Sequence, residues 1–375
     1  MKRIGLMTIW SVPNYGSVLQ CFATQAVIEK MGYRCEVINY AYPNEWNYRQ
    51  GLPRPRRNPL RALARAMGLK AQHRKALILD RFRKERLNLT RRYGSLDALR
   101  GADWSGYDAF VSGSDQLWNA RYTKGDSAFL LSFVPEGKRR VSIASSFALD
   151  ELPARYAGKF REELSKYAAL SVRETNGQRL INGQLGIGKD VFVCLDPTLL
   201  LSGEEWAHAL PLKDGPAERE PYILLYMWTY AFEPRPYIFD VVRRFQAEMR
   251  CGVIALEGYT PAGAAGGLRM RCAEDSTLPR FIDLFANASL VVTSSFHGTA
   301  FAVNFGRPLI SVVPDNAGDD RQGSFLRGVG AECCIAQVGQ DVGTLNPHYD
   351  TEAVARRLAS QRAQCLEWIE RNLDC

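Results

Sequence analysis

The stretch LVVTSSFHGTAFAVNFGRPLISVV runs from Leu290 to Val313. It opens apolar and β-branched, breaks at Thr293-Ser294-Ser295, and continues as a small-residue helical stretch from Thr299 to Asn304. A second apolar run follows Arg307-Pro308. Strand, polar turn, helix and strand in that order describe one unit of a parallel α/β sheet. His297 sits where the first strand opens into the helix, one of only four histidines beside His73, His208 and His348. An imidazole changes charge near neutral pH. Ser294, Ser295 and the amides after them suit an anion at a helix N-terminus.

The same alternation extends outward. Apolar runs read as strands at Ile4–Trp10, Cys35–Tyr40, within YDAFVSGSD, at Arg139–Phe147 and in ALSVRE. Helical stretches are expected at Ser17–Met31, closed by Gly32, and at Tyr156–Lys166. A second series starts near Val191 with DVFVCLDPTLLL and continues through YILLYMW, CGVIALEG, ASLVVTSS and PLISVV. Helices at Ile238–Met249 and Leu278–Ala286 fall between them, and a long one at Thr351–Leu373 closes the chain. The expected fold class is α/β, with two Rossmann-like domains whose parallel sheets face a central cleft. The expected division is 1–180, 181–345 and a C-terminal helix at 346–375, since 375 residues is long for a single core.

Composition sets limits. The chain is 46% hydrophobic and 23% charged, an ordinary globular balance. No apolar run reaches the roughly 18 residues of a transmembrane helix. The start MKRIGLMTIWSVPNYG reads as a first strand and not a signal peptide. Nine cysteines, an odd number without C-x-x-C, fit a reduced cytosolic chain with no metal site. The net charge of +8 is concentrated: residues 54–92 hold fourteen Lys/Arg and two acids, a balance of +12, which leaves −4 elsewhere. Leu60, Leu63 and Met67, then Ile78, Phe82 and Glu85, mark two basic amphipathic helices there. The segment fits a solvated face, or a patch that meets an anionic membrane surface or a lipid-linked phosphate. No aromatic or reading motif accompanies it, so nucleic acid is not expected as a partner.

In open parallel sheets ligands bind beyond the carboxyl ends of strands, so four turns carry the chemistry. The first holds Asn14, Tyr15, Gly16 and Gln20, and fits either a ligand approach or a plain turn capped by Ser17. The second holds Ser112, Gly113, Ser114, Asp115 and Gln116, with Trp118 behind. Asp115 suits a base or a sugar-hydroxyl acceptor, or else a helix cap; Trp118 suits stacking on a sugar, or else the core. The third presents Arg173 and Glu174, an anion-binding fork or an internal ion pair. The fourth is the turn with His297.

NYGSVLQ, SGSDQLWN, SIASSF, SVRE, DPTLL and SFHGTAFAVNFGRP occur in this order between residues 4 and 313. Together they resemble the polysaccharide pyruvyl transferase family, with SGSDQLWN and SFHGTAF the most specific parts. The resemblance implies a GT-B-like two-domain enzyme that moves a pyruvyl group from phosphoenolpyruvate onto two sugar hydroxyls, forming a ketal and releasing phosphate. It implies the key histidine at His297 and a donor-binding arginine at Arg173. Some members carry an arginine where this chain has Ser295; Arg321 and Arg307 are the replacements considered.

On this reading the catalytic residues are His297, Asp115 and Arg173. The donor meets Arg173, Ser294, Ser295, Phe296, Gly298 and Arg321. The acceptor meets Asn14, Tyr15, Gly16, Gln20, Ser114, Asp115, Gln116 and Trp118. Phosphoenolpyruvate is a co-substrate, with no further cofactor or metal. The acceptor is a sugar of a bacterial polysaccharide or of its lipid-linked precursor. The enzyme is expected in the cytoplasm, at the inner face of the membrane. Two rivals remain at this level: a GT-B nucleotide-sugar glycosyltransferase, although no D-x-D motif is evident, and a non-catalytic glycan-binding protein.

Overall fold

Strands that are short and apolar on both faces belong in parallel sheets covered by helices. The computed structural model describes residues 1–40, 67, 70–212, 218–229, 231–256, 268, 270–315 and 321–374. Its contacts divide the chain into two compact units. Unit 1 takes Met1–Arg56, Phe82–Leu200 and Gln361–Cys375; unit 2 takes Arg57–Arg81 and Leu201–Ser360. The division after the first long segment thus falls at Leu200, later than 180, and the C-terminal helix is shared out between the units.

In unit 1, β1 (Arg3–Met7), β2 (Arg34–Val37), β3 (Ala109–Ser112) and β4 (Arg139–Ser142) form a parallel sheet in the order β2-β1-β3-β4. A parallel pair, β5 (Leu170–Val172) and β6 (Val191–Val193), joins beyond β4 through the bridges Val141↔Ala169 and Ser145↔Val172. The run at Val191, expected to open the second series, therefore closes the first, because its partner is β5. Helix α1 (Tyr15–Lys30) is buried on nearly every side, as a helix without a polar face must be. Its cap is Asn14, whose side chain accepts from the Ser17 amide, and not Ser17. Gly32 lies at φ +84 just past its end, a left-handed conformation that glycine adopts without cost.

In unit 2, six parallel strands run β12-β11-β10-β7-β8-β9. They are β7 (Tyr222–Tyr226), β8 (Gly252–Ala255), β9 (Arg271–Cys272), β10 (Leu290–Thr293), β11 (Leu309–Val313) and β12 (Ile335–Gln337). The basic segment supplies helix α2 (Ala71–Arg86), while the expected first basic helix lies outside the described residues except for Met67. Further helices are α3 (Ala154–Ser165) in unit 1, α4 (Tyr237–Met249), α5 (Leu278–Ala286), α6 (Phe296–Asn304) and α7 (Arg321–Val329) in unit 2, and α8 (Thr351–Leu373), divided between the two. Helix α6 begins at Phe296, three residues before the expected start, so His297 stands inside its first turn.

Both sheets reverse their winding direction at one place. In unit 1 the chain leaves β1 for β2 on one side and returns as β3 on the other. In unit 2 it runs β7-β8-β9 to one edge and resumes as β10 beside β7. A crevice opens at the carboxyl end of such a junction, where ligands bind in this class of sheet.

The β1–β3 junction is tight: a Cβ at Gly113 would meet Leu6 Cδ1 and Thr8 Cβ at 2.9 Å each. Gly113→Ala is therefore expected to destabilise the protein by about 1–3 kcal/mol. Urea unfolding of the variant against the parent measures this.

Candidate functional site

The unit 2 crevice is built on β7 and β10. Thr293 ends β10 and donates its hydroxyl to the Tyr226 carbonyl at 2.5 Å, while accepting from the Ser295 amide at 3.0 Å. Ser294 Oγ donates to the Trp228 carbonyl at 2.9 Å and accepts from the Trp228 amide at 2.8 Å. The two strand ends are thereby stitched together side chain to backbone. Ser295 caps α6, its hydroxyl facing the Gly298 amide at 3.4 Å. A Cβ at Gly298 would stand 2.3 Å from Thr293 Oγ1, so only glycine allows α6 to start so close to β10.

His297 is 8% exposed in that first turn. Phe296 is buried beside it and packs against Phe325. Arg321 opens α7 just beyond the carboxyl end of β11, the neighbour of β10. The next residue, Gln322, donates to Ser311 Oγ at 3.0 Å, and Ser311 is bonded to Thr299 Oγ1 at 2.8 Å. This chain of side chains fixes α7 against α6. Arg307, by contrast, precedes β11. The register Val291↔Leu309 puts it at the amino end of the sheet, away from the crevice, which removes it as a donor ligand.

On the other flank of β10, Lys75 of α2 lies over the Trp228 ring at 5.5 Å from its centroid. This lysine was invisible as a site residue in a segment rich in surface cations. Its signal is periodicity: Lys75, Leu79, Phe82 and Arg83 share the buried face of α2.

The unit 1 crevice has a different composition. Asp115 follows β3 with φ +75, a left-handed backbone. Its carboxylate accepts from the Ser17 hydroxyl at 2.6 Å and from the Gln116 amide at 2.8 Å. Ser114 donates to Asp196 Oδ2 at 2.8 Å, the same oxygen that Arg173 Nη1 reaches at 2.8 Å. The other Asp196 oxygen accepts from the Thr198 amide at 2.9 Å and hydroxyl at 2.7 Å. Glu174 lies 3.9 Å from Arg173 Nε and accepts from Ser146 Oγ and the amides of Phe147 and Ala148. The ends of β3, β4, β5 and β6 are thus joined in one polar network, with two carboxylates, Asp196 and Glu174, beside a single guanidinium.

Several expected ligand contacts are taken up by the fold. Trp118 is fully buried between Phe147 and Tyr167, and its indole N–H donates to the Phe129 carbonyl, so it offers no face to a sugar. Gln20 spends its amide on Thr8 Oγ1 and the carbonyls of Ile9 and Ser17. Gln116 holds Asn119, Tyr15 is wholly buried, Gly16 is buried in the first turn of α1, and Asn14 caps that helix. Arg173 has a side chain 1% exposed and paired with Asp196, so it meets a donor directly only by giving up that carboxylate. Asp196 and Ser17 join the site; Asp196 was legible only as part of DPTLL, where Asp-Pro-Thr reads as an ordinary helix start.

The sequence matches the family model "Polysaccharide pyruvyl transferase" over residues 14–316, most of the chain. No curated protein matches it as a relative. Among solved structures, it resembles a putative UDP-N-acetylglucosamine 2-epimerase from Listeria monocytogenes, with TM-score 0.53, 14% identity, and 97% and 96% of the two chains covered. It also resembles the UDP-GlcNAc 2-epimerase of Methanocaldococcus jannaschii in complex with UDP-GlcNAc and UDP, with TM-score 0.50, 14% identity and 99% of each chain covered. At such identities the likeness is one of fold, the GT-B-type α/β arrangement.

The Arg173–Asp196 pair yields a test of its own. Removing one partner of a buried pair strands the other charge, so Asp196→Ala is expected to cost about 3–5 kcal/mol. Adding Arg173→Ala should then cost far less than it does alone, a coupling that a double-mutant cycle in denaturant unfolding reads directly.

Proposed function

The chain belongs to the polysaccharide pyruvyl transferase family, a family of enzymes, and on that premise we propose that it transfers the pyruvyl group of phosphoenolpyruvate to two hydroxyls of a sugar. The observation that carries this reading is the place of His297: the first turn of α6, at the end of the strand beside the winding reversal of unit 2. The donor carries a phosphate and a carboxylate. The α6 amides and Arg321 supply the positive potential such a molecule needs. The acidic crevice of unit 1 suits hydroxyl donors instead, so the acceptor is assigned to Asp115 and Ser17.

In the proposed reaction protonated His297 gives its proton to the methylene carbon of the enol ester. One sugar hydroxyl adds to the adjacent carbon and loses its proton to Asp115. A second hydroxyl forms the other C–O bond as the bond to the phosphate oxygen breaks. Two hydroxyl protons are released in all: one restores His297, the other leaves with phosphate. The product is a ketal bearing the new methyl group. Arg173 acts here as a positioning residue, holding Asp196 and, through it, the Ser114–Asp115 turn. Phosphoenolpyruvate is the co-substrate and no resident cofactor enters the scheme.

The acceptor is proposed to be a bacterial polysaccharide unit on a lipid carrier, at the cytoplasmic face of the membrane. No helix among the described residues is long and apolar enough to cross a membrane. The exposed Arg74, Arg81, Lys84 and Arg86 of α2 would draw the protein to anionic lipid.

With phosphoenolpyruvate and a panel of lipid-linked or synthetic glycans, acceptor-dependent phosphate release is expected from the parent protein. His297→Ala should lower the rate about 10²–10⁴-fold. Release equal in the two proteins would move the acid elsewhere, and stabilisation by nucleotide-sugars alone would replace the donor. Flotation should recover more protein with anionic than with neutral vesicles, the excess vanishing at high salt.

A further inference from the structure

Lys75 stands at an unusual place for its segment. Most cations of α2 point to solvent, yet Lys75 is 4% exposed and occupies the buried stripe with Leu79 and Phe82. Burying an ammonium costs several kcal/mol unless something nearby compensates it. Its ammonium lies 5.5 Å from the centre of the Trp228 ring, a cation–π contact among the interactions that offset that cost.

The location is what gives the residue a use. Trp228 is the residue two past the end of β7, and both its backbone groups are bonded to Ser294, at the end of β10. Lys75 therefore sits at the junction where unit 2 reverses its winding, one strand over from β10, and Arg321 sits one strand over on the opposite side. His297 follows the strand between them. A cation thus follows or adjoins the strand on each side of the one that leads to the histidine.

We propose that Lys75 is a donor-binding residue, contacting the phosphate or the carboxylate of phosphoenolpyruvate in the unit 2 crevice. The assignment rests on the pyruvyl-transfer reading above. It gives the crevice a second cation that the Ser294–Ser295 turn does not itself provide. The ammonium is a compact point charge with three donors, suited to one end of the donor, while the Arg321 guanidinium serves the other.

The test measures dissociation constants of phosphoenolpyruvate and of inorganic phosphate for the parent, Lys75→Met and Lys75→Arg. Thermal unfolding without ligand establishes that each variant is folded. Loss of one charge-assisted contact is expected to weaken phosphoenolpyruvate binding about 10- to 100-fold in Lys75→Met, with substantial recovery in Lys75→Arg. A residue that only packed against Trp228 would lower the unfolding temperature and leave the dissociation constant unchanged. Unchanged binding of phosphoenolpyruvate in a folded Lys75→Met protein overturns the assignment and leaves pyruvyl transfer standing. If the parent binds phosphate but not phosphoenolpyruvate, and Lys75→Met loses the phosphate, the anion site stands and the donor is another phosphorylated molecule. A parent that binds neither overturns both.

Discussion

The carboxylate of Asp196 is the point on which unit 1 turns. It lies inside the protein, where an isolated charge is untenable, and it survives because both oxygens are saturated. Arg173 and Ser114 reach one, and Thr198 twice reaches the other. Those partners come from the ends of two strands and the start of a helix, and Ser114 and Arg173 are remote from Asp196 in the sequence. Once the carboxylate is satisfied, the ends of β3, β5 and β6 hold a fixed relation, and the Asp115 turn is set before any substrate arrives. A hydrophobic cluster would bind these strand ends as tightly, but it would not fix the direction of a carboxylate beside it.

The two units meet the same topological problem with different side chains. Each reverses its winding beside its first strand, and each closes the resulting crevice with hydroxyl-to-backbone bonds, Thr8 to Ser114 in one and Ser294 to Trp228 in the other. In unit 1 Asp115, Glu174, Asp196 and Arg173 follow the strands; in unit 2 His297 and Arg321 do, with Lys75 over the Trp228 ring. On the proposed reading one fold element would serve a hydroxyl-bearing ligand or an anionic one, according to the few side chains placed after the strands.

What could be read from the sequence followed from local pattern. The strand–turn–helix at Leu290–Asn304 and the helices at Leu278–Ala286 and Thr351–Leu373 come from periodicities that a window of some fifteen residues contains. What could not be read depends on distant partners. Trp118 follows a polar turn and looks available, but Phe147 and Tyr167 enclose it from other segments. Arg173 offers an open fork in the sequence and a closed one in the fold, because Asp196 lies 23 residues away in the chain. Three-residue β5 and β6 carry too little pattern to show that they pair with each other, and so the expected division fell too early. Lys75 was hidden by its company: composition marks a basic segment, and only the register of the apolar stripe singles out the lysine that turns inward.

Asp115 holds a backbone conformation that most residues avoid, and that aspartate tolerates only at some cost. Glycine at that position would relieve the strain and would keep the turn between β3 and the network behind it. A chain under pressure for stability alone would therefore drift toward glycine there. That an aspartate occupies the position instead, its carboxylate aimed at Ser17, means the side chain has been kept against the preference of its own backbone. Proteins retain that kind of discord where a group is needed for work that folding does not reward, and on the proposed reading stabilising this turn and keeping its carboxylate would pull in opposite directions.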